Sequence, residues 1–262
     1  MEKEARLFLL FDMLGDLKRS GPVQWQVDRS RTSDIKDHVF DLIGEIRLLK
    51  PYLPKYINTE RMIDYAIVHD LTEVITGDIT TFEGVSKEEK ARVDKLATDY
   101  LIETYGDTMN IENLLSSYNK RDTIEAVTLH MLDKISSSIE FLKYDYEKKV
   151  DMDNPDIVES LRCNPGVVKL KEQGLSLGEI FYVWHLRSVV ITDEELTKIN
   201  KYRYKYTDEL VSREDADKIV DTIKTFMGCL HDQISKLDEV TEDFPKEAMV
   251  YRYINERNNK GV

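Results

Sequence analysis

Apolar side chains recur at helical spacing along most of the chain. The clearest case is residues 33–50, where apolar residues follow steps of four and three: Ile35, Val39, Leu42, Ile46 and Leu49. This pattern predicts an amphipathic helix that Thr32 or Ser33 caps and that Pro51 and Pro54 end.

A second helix is predicted over residues 59–76, with Gly77 as its stop. Within it, the stretch YAIVHDLTEVITGD combines apolar side chains with His69, Asp70 and Glu73. Their spacings of three and four residues place these three side chains on one side of the helix. A buried carboxylate is costly unless it is paired, hydrogen-bonded or bound to a metal, so this side is either solvated or a functional site.

The rest of the chain is mainly helical in pattern. Residues 122–146 form a long predicted helix in which Asp122 and Glu125 have capping-box spacing. The segments DMDNPD and RCNPGVV have loop composition, and YVWHLRSVVI is the one stretch in which a short strand competes with a helix. Further helices are predicted over residues 3–18, 86–105, 110–118, 176–188, 193–210, 213–239 and 245–257.

We therefore predict an all-α protein. Residues 1–150 are expected to form its core region, and residues 151–262 a helical C-terminal extension packed on that core. One continuous domain is the alternative, since a chain of 262 residues is long enough for one large domain or two small ones.

Composition and charge narrow the class of protein. Hydrophobic residues make up 41%, which excludes a mainly disordered chain. The chain has no run of about 18 apolar residues, and its start, MEKEARLFLLFDML, favours a first helix over a signal peptide, so we expect a cytoplasmic protein. The net charge of −13 disfavours nucleic-acid polymers and anionic membranes as partners. A small anionic substrate remains compatible, because a cation in one pocket inverts the local field.

Two more residues extend the polar set of residues 59–76. His38 lies at the edge of the apolar stripe of the first helix, and Asp133 lies among apolar and small polar neighbours in HMLDKISSSIE. With His69 and Asp70 they provide two imidazoles and two carboxylates, which suits Mn, Co, Fe, Ni, Zn or Mg. For each residue alone a plainer interpretation competes, since a single histidine on an apolar face is more often a hydrogen-bonded core residue.

The order of these residues resembles a known superfamily. His38, the pair His69-Asp70 and Asp133 match the H…HD…D pattern of the HD-domain metal-dependent phosphohydrolases. More narrowly, the blocks RTSDIKDH, HDLTEVITGDI and TIEAVTLHMLDKI are similar to those of the bacterial-type 5′-deoxynucleotidases, which remove phosphate from deoxyribonucleoside 5′-monophosphates. The resemblance covers about residues 5–145 and implies an HD-domain helical bundle.

The resemblance also implies a reaction and a site. One divalent metal ion is expected on four ligands: His38, His69, Asp70 and Asp133. Glu73 is expected to be catalytic, and Asp78 to act beside it by contacting the sugar in a way that favours deoxyribose. The implied partner is a nucleotide, and because relatives are commonly dimers, a homodimer is expected.

Family members also use an arginine and a tryptophan before the first histidine to hold the phosphate and the base. The candidates here are Arg19 and Trp25, with Arg29 and Arg31 competing for the role of Arg19. Plain packing is the alternative interpretation of Trp25.

One place departs from the family pattern. About fifteen residues before Asp133, where the family usually has acidic residues, the chain has Ser117, Tyr118 and Asn119. This bears on the range of substrates more than on metal binding. Three other functions stay open: another HD enzyme (a deoxynucleoside triphosphohydrolase or a phosphodiesterase), a non-catalytic nucleotide-binding HD module, and a helical protein whose acidic helix face is only solvated.

Overall fold

The computed structural model of the protein describes residues 1–19, 33–79, 85–147, 150, 163–237 and 245, and these ranges are mainly helical. In the N-terminal part the helices are α1 (Glu2–Met13), α2 (Ile35–Leu49), α3 (Thr59–Val68), α4 (Glu73–Thr76), α5 (Lys87–Tyr105), α6 (Ile111–Lys120) and α7 (Ile124–Tyr146). In the C-terminal part they are α8 (Pro165–Glu172), α9 (Leu177–Ser188), α10 (Asp193–Arg203) and α11 (Arg213–Ile234).

The all-α prediction is confirmed. The only extended pairing between two described residues is an isolated bridge between Lys18 and Asp34. The stretch YVWHLRSVVI is helical up to Ser188, so the strand alternative is not adopted. None of the described helices is long and apolar enough to cross a membrane.

The helix predicted over residues 59–76 is interrupted, so a single continuous helix was the wrong prediction. Residues 69–72 form a turn between α3 and α4, in which the N–H of Glu73 donates to the carbonyl oxygen of Asp70 at 2.9 Å. This is the tighter i→i+3 pattern of a 3₁₀ turn. Gly77 ends α4 with φ of 74°, as its tolerance of positive φ predicts.

Two helix caps differ from the predicted ones. The N-cap of α2 is Asp34 rather than Ser33, and Asp34 forms a capping box with Asp37; Thr32 lies outside the described residues. The Ser33 hydroxyl instead donates to Glu140, a longer-range partner that the local sequence does not reveal.

The predicted capping box of α7 is also wrong. Thr123 is the N-cap and accepts a hydrogen bond from the N–H of Ala126 at 3.2 Å. Glu125 instead accepts from the N–H of Asn58 at 3.0 Å, so its carboxylate joins the start of α7 to the start of α3. Tertiary packing has therefore redirected a carboxylate that could have served its own helix.

The C-terminal part also corrects the sequence prediction. The segment RCNPGVV, predicted as a loop, begins helix α8, since Asn164 caps it and Pro165 occupies its first position. Helix α10 ends at Arg203, well before residue 210. The helix predicted over residues 245–257 lies outside the described residues except for residue 245.

The main hydrophobic core joins both parts of the chain. Leu42 of α2 and Met62 of α3 are buried in the same cluster as Ile199, Ile219 and Met227 of α10 and α11. Helix α7 packs against α2 and α3 on the one hand and against α9 and α11 on the other. A smaller cluster covers the end of α7, with Phe141 stacked on Phe181. The domain boundary at residue 150 stays a prediction.

Candidate metal centre

Three helices bring His38, His69 and Asp133 together. His38 lies in the first turn of α2, His69 directly follows α3, and Asp133 lies in the middle of α7. One ligand atom from each residue lies within 4.8 Å of the others. His38 Nε2 is 3.1 Å from Asp133 Oδ1. These three side chains are positioned to bind a metal ion.

Asp70, the fourth predicted ligand, lies at the edge of this group. Its Oδ2 is 3.1 Å from His69 Nε2 and 3.7 Å from His38 Nε2. Its carboxylate therefore faces the same two imidazole nitrogens as the carboxylate of Asp133. The structure thus brings together all four residues that the sequence singled out as ligands.

The imidazoles are oriented by their Nδ1 atoms. His69 Nδ1 donates to the carbonyl oxygen of Ala66 at 2.8 Å, and His38 Nδ1 lies 3.0 Å from Ser136 Oγ. Both Nε2 atoms are buried, and neither has a hydrogen-bond partner of acceptable geometry among the described residues. A buried nitrogen without such a partner is costly, and a cation would satisfy both lone pairs. The donor set therefore fits a divalent metal ion.

The charges of the group are strongly interdependent. Burial by itself lowers the pKa of His69, but the carboxylate of Asp70 outweighs burial and raises that pKa to about 9. Burial opposes ionisation of Asp133, yet its contact with His38 holds the pKa of Asp133 well below its usual range. The lowered pKa values of Asp70 and Asp133 favour the anionic form that ligands of a cation need, and a bound cation would take the place of the proton on His69 Nε2.

Glu73 lies beside this group at the start of α4. Its Oε2 is buried and has no hydrogen-bond partner among the described residues. Burial raises the pKa of Glu73 to about 10, with further contributions from the negative charges of Asp70 and Asp78. Asp78 is partly buried and directly follows Gly77. The acidic side chain of Glu73 therefore interacts electrostatically with both Asp70 and Asp78.

Arg19 lies between α1 and α2 and contacts α7 next to the candidate metal centre. Its Nη2 donates to Ser137 Oγ at 2.8 Å, and its Nη1 lies 3.6 Å from Glu140 Oε2. Burial opposes its charge, but Glu140 and Asp133 together raise the pKa of Arg19. The other predicted substrate contacts, Trp25, Arg29 and Arg31, lie outside the described residues.

A cavity of about 550 Å³ opens beside His38. Arg19 and Glu140 line its polar side, and Phe226 and Leu230 of α11 line part of its apolar side. The C-terminal helix therefore contributes to the walls next to the candidate metal centre. Nothing in the local sequence of α11 indicated this contribution.

An aromatic ring occupies the place where the family pattern has acidic residues. The ring of Tyr118 stands edge-on to His69, with ring centroids 5.5 Å apart and an interplanar angle of 69°. Its neighbour Ser117 accepts a hydrogen bond from Tyr65 and donates to Asp122. Tyr118 therefore supports a metal-centre imidazole by packing, whereas an acid there would add charge.

Sequence reasoning missed three polar residues of α7 near the centre. Ser136, Ser137 and Glu140 follow Asp133 by three, four and seven residues, which places them on the same face of the helix. This spacing was the available signal. Their partners, His38 and Arg19, are distant in sequence, so the spacing alone did not reveal the contacts.

Comparison with known protein families agrees with this geometry. The sequence profile of the HD domain matches residues 11–165, a range that includes His38, His69, Asp70 and Asp133. The chain is 31% identical over 154 residues to the 5′-deoxynucleotidase hdd1 of Schizosaccharomyces pombe, which covers 56% of this chain and 75% of that protein. It is 29% identical over 148 residues to the 5′-deoxynucleotidase HDDC2 of Xenopus laevis, covering 55% of this chain and 71% of that protein.

Solved structures share the fold. A crystal structure described as a predicted metal-dependent phosphohydrolase from Magnetospirillum magnetotacticum superposes with a TM-score of 0.52 at 15% identity, covering 90% of this chain and 92% of the other. The PH0347 protein of Pyrococcus horikoshii gives a TM-score of 0.52 at 20% identity, covering 86% and 99%. At this level of identity the likeness concerns the fold alone.

Proposed function

The chain belongs to the HD-domain family, and on that premise we propose that it is a metal-dependent 5′-deoxynucleotidase. It hydrolyses the 5′-phosphate ester of deoxyribonucleoside 5′-monophosphates. The observation that carries the proposal is that the buried Nε2 atoms of His38 and His69 face the carboxylates of Asp70 and Asp133. Neither Nε2 has a hydrogen-bond partner of acceptable geometry among the described residues. The names of the 5′-deoxynucleotidase relatives support the choice of substrate class.

In this proposal His38, His69, Asp70 and Asp133 hold one divalent ion. When bound, the ion supplies Lewis acidity, which lowers the pKa of water and offsets negative charge on phosphate oxygens. The mixed nitrogen and oxygen donors fit Mn, Co, Mg, Zn, Fe or Ni. The positive charge of the ion would also favour the carboxylate form of Glu73, because an opposite charge nearby lowers the pKa of an acid.

The side chains around the ion have separate roles in the proposed reaction. Glu73 orients the attacking water and takes its proton. Its buried Oε2 suits this role, because it has no hydrogen-bond partner in the part of the chain that the structure describes. Arg19 binds the phosphate through two N–H groups of its guanidinium. The raised pKa of Arg19 keeps the guanidinium cationic. Asp78 contacts the sugar and favours deoxyribose. Trp25 and Arg31 remain predicted contacts of the base and the phosphate.

The proposal also covers the oligomeric state, the location and the binding partner of the protein. We expect a homodimer and a cytoplasmic location. Light scattering of the purified protein tests the expected homodimer. The small anionic nucleotide is the expected partner. The acidic net charge of −13 argues against a nucleic-acid polymer.

A phosphate-release screen tests the function. The purified protein is assayed with deoxyribonucleoside and ribonucleoside monophosphates, dATP and a cyclic nucleotide, each with Mn, Co, Mg or Zn. We expect inorganic phosphate from the deoxyribonucleoside monophosphates and less from the ribonucleotides. Triphosphate released from dATP, or opening of the cyclic diester, would instead identify another HD enzyme. Stoichiometric metal without any turnover would identify a non-catalytic module.

A further inference from the structure

Glu140 is the centre of a small polar network that includes Arg19, Tyr144 and Ser33 and lies next to the candidate metal centre. Its Oε2 lies 3.6 Å from Arg19 Nη1, and its Oε1 accepts a hydrogen bond from the hydroxyl of Tyr144 at 2.8 Å. The hydroxyl of Ser33 donates to the same Oε1. The side chains of Arg19 and Glu140 are each only 13% exposed, so water screens this charge pair weakly.

The network lies on the helix that also carries Asp133. Glu140 follows Asp133 by seven residues, two helical turns, and follows Ser137 by three. Asp133, Ser137 and Glu140 therefore lie along one face of α7. Asp133 is a candidate metal ligand, Ser137 accepts a hydrogen bond from Arg19 Nη2, and Glu140 faces Arg19 Nη1. Because the helix is rigid, these three groups keep fixed distances from one another.

We propose that Glu140 is a positioning residue that holds the guanidinium of Arg19 in place to receive the substrate phosphate. This inference rests on the proposed function, in which Arg19 binds that phosphate. Glu140 touches neither the substrate nor the metal ligands in this proposal. It acts through Arg19.

The charges around Arg19 explain why such a residue is needed. Arg19 interacts electrostatically not only with Glu140 but also with Asp133 and Asp70. An arginine side chain is flexible, and its guanidinium pairs readily with carboxylates. Without a competing partner, Arg19 would be drawn to Asp133 or Asp70, where it would compete with a bound cation. Glu140 supplies that partner two helical turns beyond Asp133 on α7.

The position of Glu140 is itself determined by two hydroxyls. Ser33 directly precedes the capping residue of α2, and Tyr144 lies one turn further along α7. Both donate to Oε1, which leaves Oε2 on the side of Arg19. The carboxylate is therefore fixed in orientation before any substrate arrives, which is the condition for preorganised binding.

The test separates a positioning role from a merely structural one. Glu140→Gln keeps the size of the side chain but removes its charge, and Arg19→Ala removes the group it acts on. The readouts are the inhibition constant of inorganic phosphate, the KM for dAMP, the affinity for deoxyadenosine, the metal content and the thermal midpoint. Glu195→Gln is the control, because Glu195 forms an ion pair with Arg121 at 3.3 Å and neither residue lines the cavity beside His38.

We expect E140Q to weaken inhibition by phosphate and to raise KM by about tenfold, which is the size of one charge-assisted contact. Affinity for deoxyadenosine should stay unchanged, since nucleoside binding does not involve Arg19. Metal content at saturating metal should stay full, whereas metal affinity should fall, because an Arg19 released from Glu140 competes for Asp133 or Asp70. Glu140→Asp, which retains the charge, should recover part of the loss. In the Arg19→Ala background, E140Q should have no further effect on phosphate, because the group through which it acts is gone.

Three outcomes would overturn the inference. If R19A weakens phosphate binding and E140Q lowers only the thermal midpoint, Glu140 is structural and the role of Arg19 in the proposed function still stands. If the two losses simply add, Glu140 acts independently of Arg19. If R19A itself leaves phosphate binding unchanged, the assignment of Arg19 in the proposed function fails first, and the role of Glu140 falls with it.

Discussion

The Nδ1 atom of His69 lies 2.8 Å from the carbonyl oxygen of Ala66, three residues earlier in the chain. A carbonyl oxygen only accepts, so the proton of a neutral His69 stays on Nδ1 and the lone pair stays on Nε2. That Nε2 faces Asp70 Oδ2 at 3.1 Å. The backbone of α3 thus prepares this imidazole as a ligand, and the following predictions begin from it.

Replacing His69 should remove the metal. Glutamine at this position lacks the ring nitrogen that faces Asp70, so H69Q should lose stoichiometric metal and phosphate release together. Mass spectrometry after dialysis measures the metal content of H69Q, and a phosphate assay measures its turnover. His231→Gln is the control, because His231 is a partly exposed histidine of α11. Full metal content in H69Q would contradict the assignment.

Removing the hydroxyl of Ser136 should weaken metal binding without abolishing it. Ser136 Oγ lies 3.0 Å from His38 Nδ1 and orients the ring. Loss of such an outer partner typically lowers metal affinity by about 10- to 100-fold. Metal titration of Ser136→Ala by calorimetry gives the change. Ser116→Ala, which removes a hydroxyl that binds Lys120 instead, should bind metal as tightly as the unmodified chain does.

Glu73→Ala should separate metal binding from turnover. The four proposed ligands remain in E73A, so metal content should be unchanged. Turnover should fall by about 10²- to 10⁴-fold, the range for loss of a general base. Steady-state phosphate release together with metal analysis checks both parts. Unchanged kcat in the metal-loaded variant would exclude Glu73 from the reaction.

His185 should make stability depend on pH. Its Nδ1 lies 2.5 Å from Ser138 Oγ. Burial lowers the pKa of His185 to about 4; Asp133 opposes this shift, while Lys134 and Arg19 add to it. A histidine in the unfolded chain has a pKa of about 6.5, so between these two pKa values the unfolded chain binds more protons. The free energy of unfolding should therefore fall as the pH drops from about 6.5 towards about 4.

The variant His185→Gln isolates this contribution. The slope of unfolding free energy against pH should decrease by up to about 1.4 kcal/mol per pH unit in H185Q, the value for one proton. Urea unfolding at about pH 7, 6 and 5 measures the slope. An identical slope in H185Q and in the unmodified protein would show that His185 does not titrate as its surroundings predict.

Truncating a buried side chain of α11 should leave a cavity in the core and destabilise the whole protein. Ile219 of α11 is fully buried in the core cluster that contains Leu42 of α2. Ile219→Ala should cost about 2–5 kcal/mol. If the described parts unfold as one unit, circular dichroism and loss of phosphate release should shift together. Lys218→Ala, an exposed neighbour, should shift neither by more than a few tenths of a kcal/mol. Separate transitions would instead support two domains divided near residue 150.

The sequence by itself determined the helical class and the four residues that meet at the centre. Helical spacing predicted α2, α3 and α7, because periodicity reports which side of a segment is apolar. The order of His38, His69, Asp70 and Asp133 indicated the site, since a carboxylate in an apolar segment requires a partner. The HD-domain match over residues 11–165 agrees with that interpretation.

Only the tertiary structure decided how these residues are held. The break at residues 69–72, the use of Glu125 to bind the N–H of Asn58 and the pairing of Arg19 with Glu140 each replaced or extended a local expectation. The physical reason is common to all three. Spacing describes neighbours within one segment, whereas a polar group takes whichever partner packing brings within hydrogen-bond or ion-pair distance, and for Arg19 that partner lies 121 residues away in the chain.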